Sequence, residues 1–151
     1  METDAALELI AITRRRAAAR GITATVAVHD SAGHPVALAR GGKWHGPYMA
    51  MGKARLAAAF QRSTAELLEE WADRPLFAQS LTEVLPGGVT LNPGGYPVVI
   101  NGRCIGAIGV GGSTPDNDHR LAEEAVLEFL ESSQVTLTSA PTLAPPSPDH
   151  G

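Results

Sequence analysis

The chain has 151 residues, 44% hydrophobic and 19% charged, the size and balance of one globular domain with its own core. A net charge of -4 with a pI near 5.7 offers no general footing for nucleic acid. No apolar run approaches the roughly 20 residues that a membrane span needs, and a single cysteine, Cys104, excludes an internal disulfide.

In chain order, Thr3 or Asp4 is placed to cap a helix running to about Arg20, with Ala6, Leu9, Ile10, Thr13 and Ala17 on one face and Gly21 as its stop. Arg14, Arg15 and Arg16 go round that helix and read most simply as a solvated face. Residues 22–30 alternate, with Ile22, Ala24, Val26 and Val28 on one side. After the turn chemistry of 31–35, residues 36–40 complete a hairpin. Pro47 suits the first position of a helix through Phe60. Ser63 and Glu66 have capping-box spacing for a second helix from 64 to about 72, and 75–85 form another short one.

Residues 86–110 read as strand, strand, turn, strand, with Asn101-Gly102 as a type I′ turn signal. A final helix starts near Pro115 and ends near Glu131. Residues 132–151 form a Pro/Ser/Thr-rich tail expected to be a flexible arm, which leaves 1–131 as the single domain. The hairpins predict an α+β fold with an antiparallel sheet of about five strands flanked by helices.

The stretch "CIGAIGVGGSTPDND" (104–118) has the layout of a phosphate loop, but its context excludes one. A dinucleotide site needs a parallel β-α-β unit. Here the strand is the second arm of a hairpin, and no strand follows the helix. The third fingerprint glycine and the Gly-Lys-Ser/Thr ending are missing as well. On this strand Gly106, Ile108 and Val110 face one way and Ile105, Ala107 and Gly109 the other. Something must therefore approach both faces closely: a helix, a neighbouring subunit or a flat ligand. Thr114 before Pro115, with Asp116 and Asp118 in the first turn, makes a sound helix start.

Three blocks in this order, "VAVHDSAGHPVALAR", "KARLAAAFQRST" and "GGYPVVINGRCIGAIGVGG", resemble the signatures of the GlcG/HbpS family, over roughly residues 5–130. That family includes the C-terminal domain of PduO-type cobalamin adenosyltransferases. The resemblance implies a profilin-like α/β sandwich that assembles into dimers or larger rings. It also implies binding of a small ligand, with haem as a cofactor in several members. Lys53 matches the family lysine and Arg40 the family arginine. The chain departs from the pattern at Gly41-Gly42, where an acidic residue is common, at Gly111 or Gly112, where Ser is common, and at His29, where the residue is usually aliphatic or small.

The residues themselves nominate the site. Met49, Lys53, Leu56 and Phe60 share a helical stripe, so Lys53 must pair, snorkel or meet an anionic ligand such as a carboxylate or propionate. Arg40 can clamp a carboxylate or pair with Asp30 across the hairpin. Asp30 itself is a turn-former. Gly94 and Gly95 form a turn or let backbone N–H groups approach an anion, and Trp44, Tyr48 and Tyr96 are candidates for a flat aromatic wall. Thr114 is a helix cap or a neighbour of a ligand.

His29, His34, His45 and His119 are scattered without zinc spacing, so no protein-only metal site is expected. His29 or His45 remains a candidate axial haem ligand, and Cys104 a small core residue. The favoured expectation is a homo-oligomer that binds haem or a related tetrapyrrole, without nucleic-acid or membrane partners. The alternative is a cofactor-free enzyme acting on a carboxylate-bearing molecule, with His29 and His45 as acid/base groups. The lone cysteine and the absence of a leader pattern point to the cytoplasm, and the Arg-, Ala- and Gly-rich usage to a bacterial source.

Overall fold

The computed structural model describes residues 1–139. Its elements are α1 (Thr3–Ala19), β1 (Thr25–Asp30), β2 (Pro35–Ala39), α2 (Gly46–Phe60), α3 (Thr64–Glu70), α4 (Pro75–Val84), β3 (Gly95–Ile100), β4 (Arg103–Gly111) and α5 (Pro115–Ser139). The strands form one antiparallel sheet in the order β2-β1-β4-β3, with α1 and α5 on one face and α2 on the other.

Local chemistry accounts for most of these boundaries. Asp30 Oδ1 accepts the Ala32 and His34 N–H groups at 3.0 and 2.9 Å and closes the β1–β2 turn. Asn101 and Gly102 have φ of 52° and 77°, as the β3–β4 hairpin requires. Ser63 Oγ accepts the Glu66 N–H at 3.2 Å and starts α3.

Four expectations need correction. The sheet has four strands, not about five. Residues 89–91 form no strand, and Val89 packs instead into a cluster with Leu56, Leu67 and Trp71. α1 already includes Thr3 and Asp4, and neither caps it. α5 does not end near Glu131 but continues to Ser139; the rest of the expected tail, 140–151, lies outside the described residues. Finally, Arg15 and Arg16 are not merely solvated. With Arg20 they pair with Glu124 and Glu128 and clasp α1 to α5.

The two sheet faces carry different cores. Toward α1 and α5, Val26, Val28, Val98, Ile108 and Val110 meet Leu9, Ile10, Leu121, Val126 and Phe129. Toward α2 the contacts are small: Ala27 with Ala50 and Ala54, and Ala107 with Ala57 and Ala58. A Cβ at Gly109 would run into the Ala50 carbonyl, so it is a helix that lies against this glycine. The close approach brings the polar residues of α2 hard against the ends of the strands. No described helix is long and apolar enough to cross a membrane.

Candidate functional site

Lys53 sits on the buried side of α2 and is only 4% exposed. Its Nζ donates to the Val110 carbonyl at 2.8 Å and to Asp118 Oδ2 at 3.3 Å. Asp118, also 4% exposed, is held by the Ser113 N–H on its other oxygen, Oδ1, at 3.1 Å. Burial pulls the Lys53 ammonium below its ordinary value, with Asp118 opposing. Burial likewise pushes the Asp118 carboxyl up, with Lys53 opposing. Desolvation thus moves the two proton affinities toward each other, as expected of an ion pair removed from water.

The pair forms the floor of an inner cleft of about 190 Å³, whose rim carries Lys43, His45, Met49 and Asn92 and whose back wall is the 111–113 turn. Gly94 stands over the ammonium, and a side chain there would come within 3.0 Å of Nζ. Beside it lies an outer groove of about 540 Å³, lined by Arg40, Gly41, Gly42, Lys43, Trp44 and Tyr48. Lys43 lines both spaces. Trp44 is 83% exposed and its ring lies 5.5 Å from that of Tyr48.

The structure therefore separates residues that the sequence had grouped. Lys53 and His45 line the inner cleft, and Arg40 the outer groove. Arg40 does not pair with Asp30, because the register sets Val26 opposite Ala39 and leaves Arg40 at the far end of the hairpin. Asp30 is near His34 instead, at 3.5 Å. Gly95 serves the scaffold: its N–H donates to Thr64 Oγ1 at 2.8 Å. Thr114 caps α5, accepting the Asn117 N–H at 3.2 Å, while Ser113 takes the place at the cleft.

Tyr96 leaves the aromatic wall to Trp44 and Tyr48; it packs against the α1–α5 core and lies 6.1 Å from the His119 ring. Its hydroxyl is raised by burial and by Glu123.

His29 is fully buried and lines neither space. Its Nδ1 lies 2.9 Å from the Gly33 carbonyl, which can only accept, so Nδ1 carries the proton, and Nε2 has no partner among the described residues. His29 and His45 thus share no cleft. No group of metal-ligating side chains occurs among the described residues. Cys104 is buried, its thiol 3.3 Å from the Gly106 carbonyl. The residue that sequence reasoning missed is Asp118, read there only as a helix-start acid. A buried lysine was the signal that such a partner had to exist.

The family model described as haem degrading protein HbpS-like matches residues 1–127. An uncharacterised 15.0 kDa protein of the dhaT-dhaS intergenic region of Citrobacter freundii is 35% identical over 86 residues, covering 55% of this chain and 58% of that protein. The chain thus spans little more than half the length of this curated relative. Among solved structures, Klebsiella pneumoniae ORFY is similar with a TM-score of 0.77 at 25% identity, over 86% of this chain and 90% of that one. A double mutant of Streptomyces reticuli HbpS aligns with a TM-score of 0.75 at 26% identity, over 85% and 86% of the two chains. A PduOC:heme complex aligns with a TM-score of 0.73 at 25% identity, over 84% and 93%.

Proposed function

The chain belongs to the HbpS-like family, and on that premise we propose that it is a small-ligand-binding protein that takes haem or a related tetrapyrrole and works as a homo-oligomer. The observation that carries the reading is the outer groove. An exposed indole and phenol stand together beside Lys43 and Arg40, and Arg40 has no ion pair among the described residues. Exposed aromatic surface of this kind marks a binding site. The groove's volume of about 540 Å³ falls within the roughly 300–1,000 Å³ of ligand clefts, whereas the inner cleft is too small for a macrocycle.

The residues present fit such a ring. Trp44 and Tyr48 would cover one of its faces, and Arg40 and Lys43 would neutralise its propionates, while His45 lines the inner cleft next in sequence to Trp44. Bound haem would supply redox or gas-binding chemistry tuned by its axial ligand. The protein's own contribution is to bind, orient and shield it.

Haemin titration of the purified full chain, read in the Soret band, tests this. A red-shifted, saturable band is expected, weakened at least tenfold in Arg40→Ala and in Trp44→Ala. An unchanged spectrum of free haemin, or full binding by both variants, would end the reading.

A further inference from the structure

We propose that the inner cleft is a proton-coupled receptor for the carboxylate of a small organic acid, held on Lys53 while Asp118 takes up a proton. The inference goes beyond the ring-binding role and does not depend on it.

The starting point is a donor without an acceptor. A lysine ammonium carries three N–H donors. Two of those on Lys53 are used by Val110 O and Asp118 Oδ2. The third has no protein acceptor among the described residues, yet the side chain is almost wholly buried and lines the cleft. Gly94 packs against the ammonium, where an added Cβ would come within 3.0 Å of Nζ. That third N–H is thus left for an acceptor that enters the cleft.

Size and charge narrow its chemistry. A cleft of about 190 Å³ holds roughly six water volumes at ~30 Å³ each, the bulk of an acid of a few carbons. Among the lining residues the charged groups are Lys43, Lys53 and Asp118, with His45 on the rim, so an entering anion meets a single negative group. That group is the reason for the proton. With a second carboxylate on Lys53, two anions would share one ammonium in a desolvated space, an arrangement relieved when one of them is protonated.

Asp118 is poised for that role, since burial already holds its carboxyl above the ordinary range despite Lys53. The groups facing it are Lys53 from α2, Lys43 and His45 from the segment entering α2, and the Ser113 N–H; the strand side offers backbone and glycine. The balance is simple: one acid anion and one proton enter together, and no bond to carbon changes.

The test is titration of acetate, carried into the high-millimolar range, against the full chain without haem, in two buffers of different ionisation enthalpy. The Asp118 carboxyl is followed by ¹³C NMR. Uptake of close to one proton per acetate near pH 7 is expected, with affinity rising about tenfold per pH unit lowered until Asp118 is protonated in the free protein. Asp118→Asn should keep acetate binding and lose the uptake.

Because Lys53→Met alone leaves a lone buried carboxylate, the paired variant Lys53→Met/Asp118→Leu is the fold-preserving control. It should bind acetate at least tenfold more weakly. Haemin-loaded protein separates two sources of the same chemistry. Acetate that haemin excludes identifies a ring propionate as the group on Lys53, and unaffected acetate identifies a free acid. Heats that do not depend on the buffer, an unmoved Asp118 signal, undetectable acetate binding or normal binding by the paired variant would each overturn the proposal.

Discussion

Toward α1 and α5 the sheet offers valine and isoleucine to an aliphatic core, while toward α2 it offers Ala27, Ala107 and Gly109 to a helix of alanines. The first face is held by bulk and the second by proximity. Bulk tolerates trimming at the cost of a cavity, whereas proximity tolerates no added atom. Proximity also traps polar groups, which is why both Lys53 and His29 are buried on the α2 side. Lys53 opens onto the inner cleft with a partner, and His29 is buried with its Nε2 unpaired among the described residues.

The largest way to break this contrast is Lys53→Met, which strands Asp118 as a buried, unpaired carboxylate. A loss of about 3–5 kcal/mol in urea unfolding is expected. The paired Lys53→Met/Asp118→Leu variant should recover most of it, and a Lys53→Met protein of undiminished stability would mean that the pair is not buried.

Next comes a matched comparison across the two faces. Gly109→Ala should destabilise by about 3 kcal/mol, because the new methyl meets backbone that cannot step aside. Ile108→Val, one residue away on the aliphatic face, should cost only about 0.5–1.5 kcal/mol. Equal costs in denaturant titrations would erase the distinction between the faces.

The smallest effect at neutral pH belongs to His29. Burial holds its imidazole below the ordinary 6.5, although the Gly33 carbonyl opposes this. The folded chain therefore stays unprotonated there while the unfolded chain takes up a proton. The stability His29 contributes is complete above pH 6.5 and is lost as pH falls below it toward the depressed folded value. His29→Gln should leave the protein with a shallower loss of stability between pH 7.5 and 5. Parallel curves for the two proteins would show that His29 is not sealed.

What the sequence disclosed was local. The Asn101-Gly102 turn, the Ser63 cap and the alternation of 107–110 each follow from neighbours a few residues apart, but Ile105, skipped where the β3–β4 register shifts, joins Ile108 and Val110 on the α1–α5 side instead of facing away from them. What stayed hidden needed distance. Val89 alternates like a strand residue, but a cluster on α2 and α3 claimed it. Lys53 announced a partner without naming it, since Asp118 lies 65 residues away. Arg40 and Asp30 seemed suited to each other until the register put them at opposite ends of a hairpin. Likewise Trp44 and Tyr48 were read as an aromatic wall, but only the loop's course brings Arg40 beside them.

The arginine clasp between α1 and α5 has a consequence for how the chain is made. Its pairs join residues 104 to 113 positions apart, so the apolar stripe of α1 emerges from the ribosome long before its cover exists. At ~5–20 residues per second that interval is on the order of 5–20 s. During it Leu9 and Ile10 have no α5 to pack against, and Arg15, Arg16 and Arg20 have no Glu124 or Glu128 to meet. The clasp between the two helices is therefore among the last contacts the growing chain is able to make.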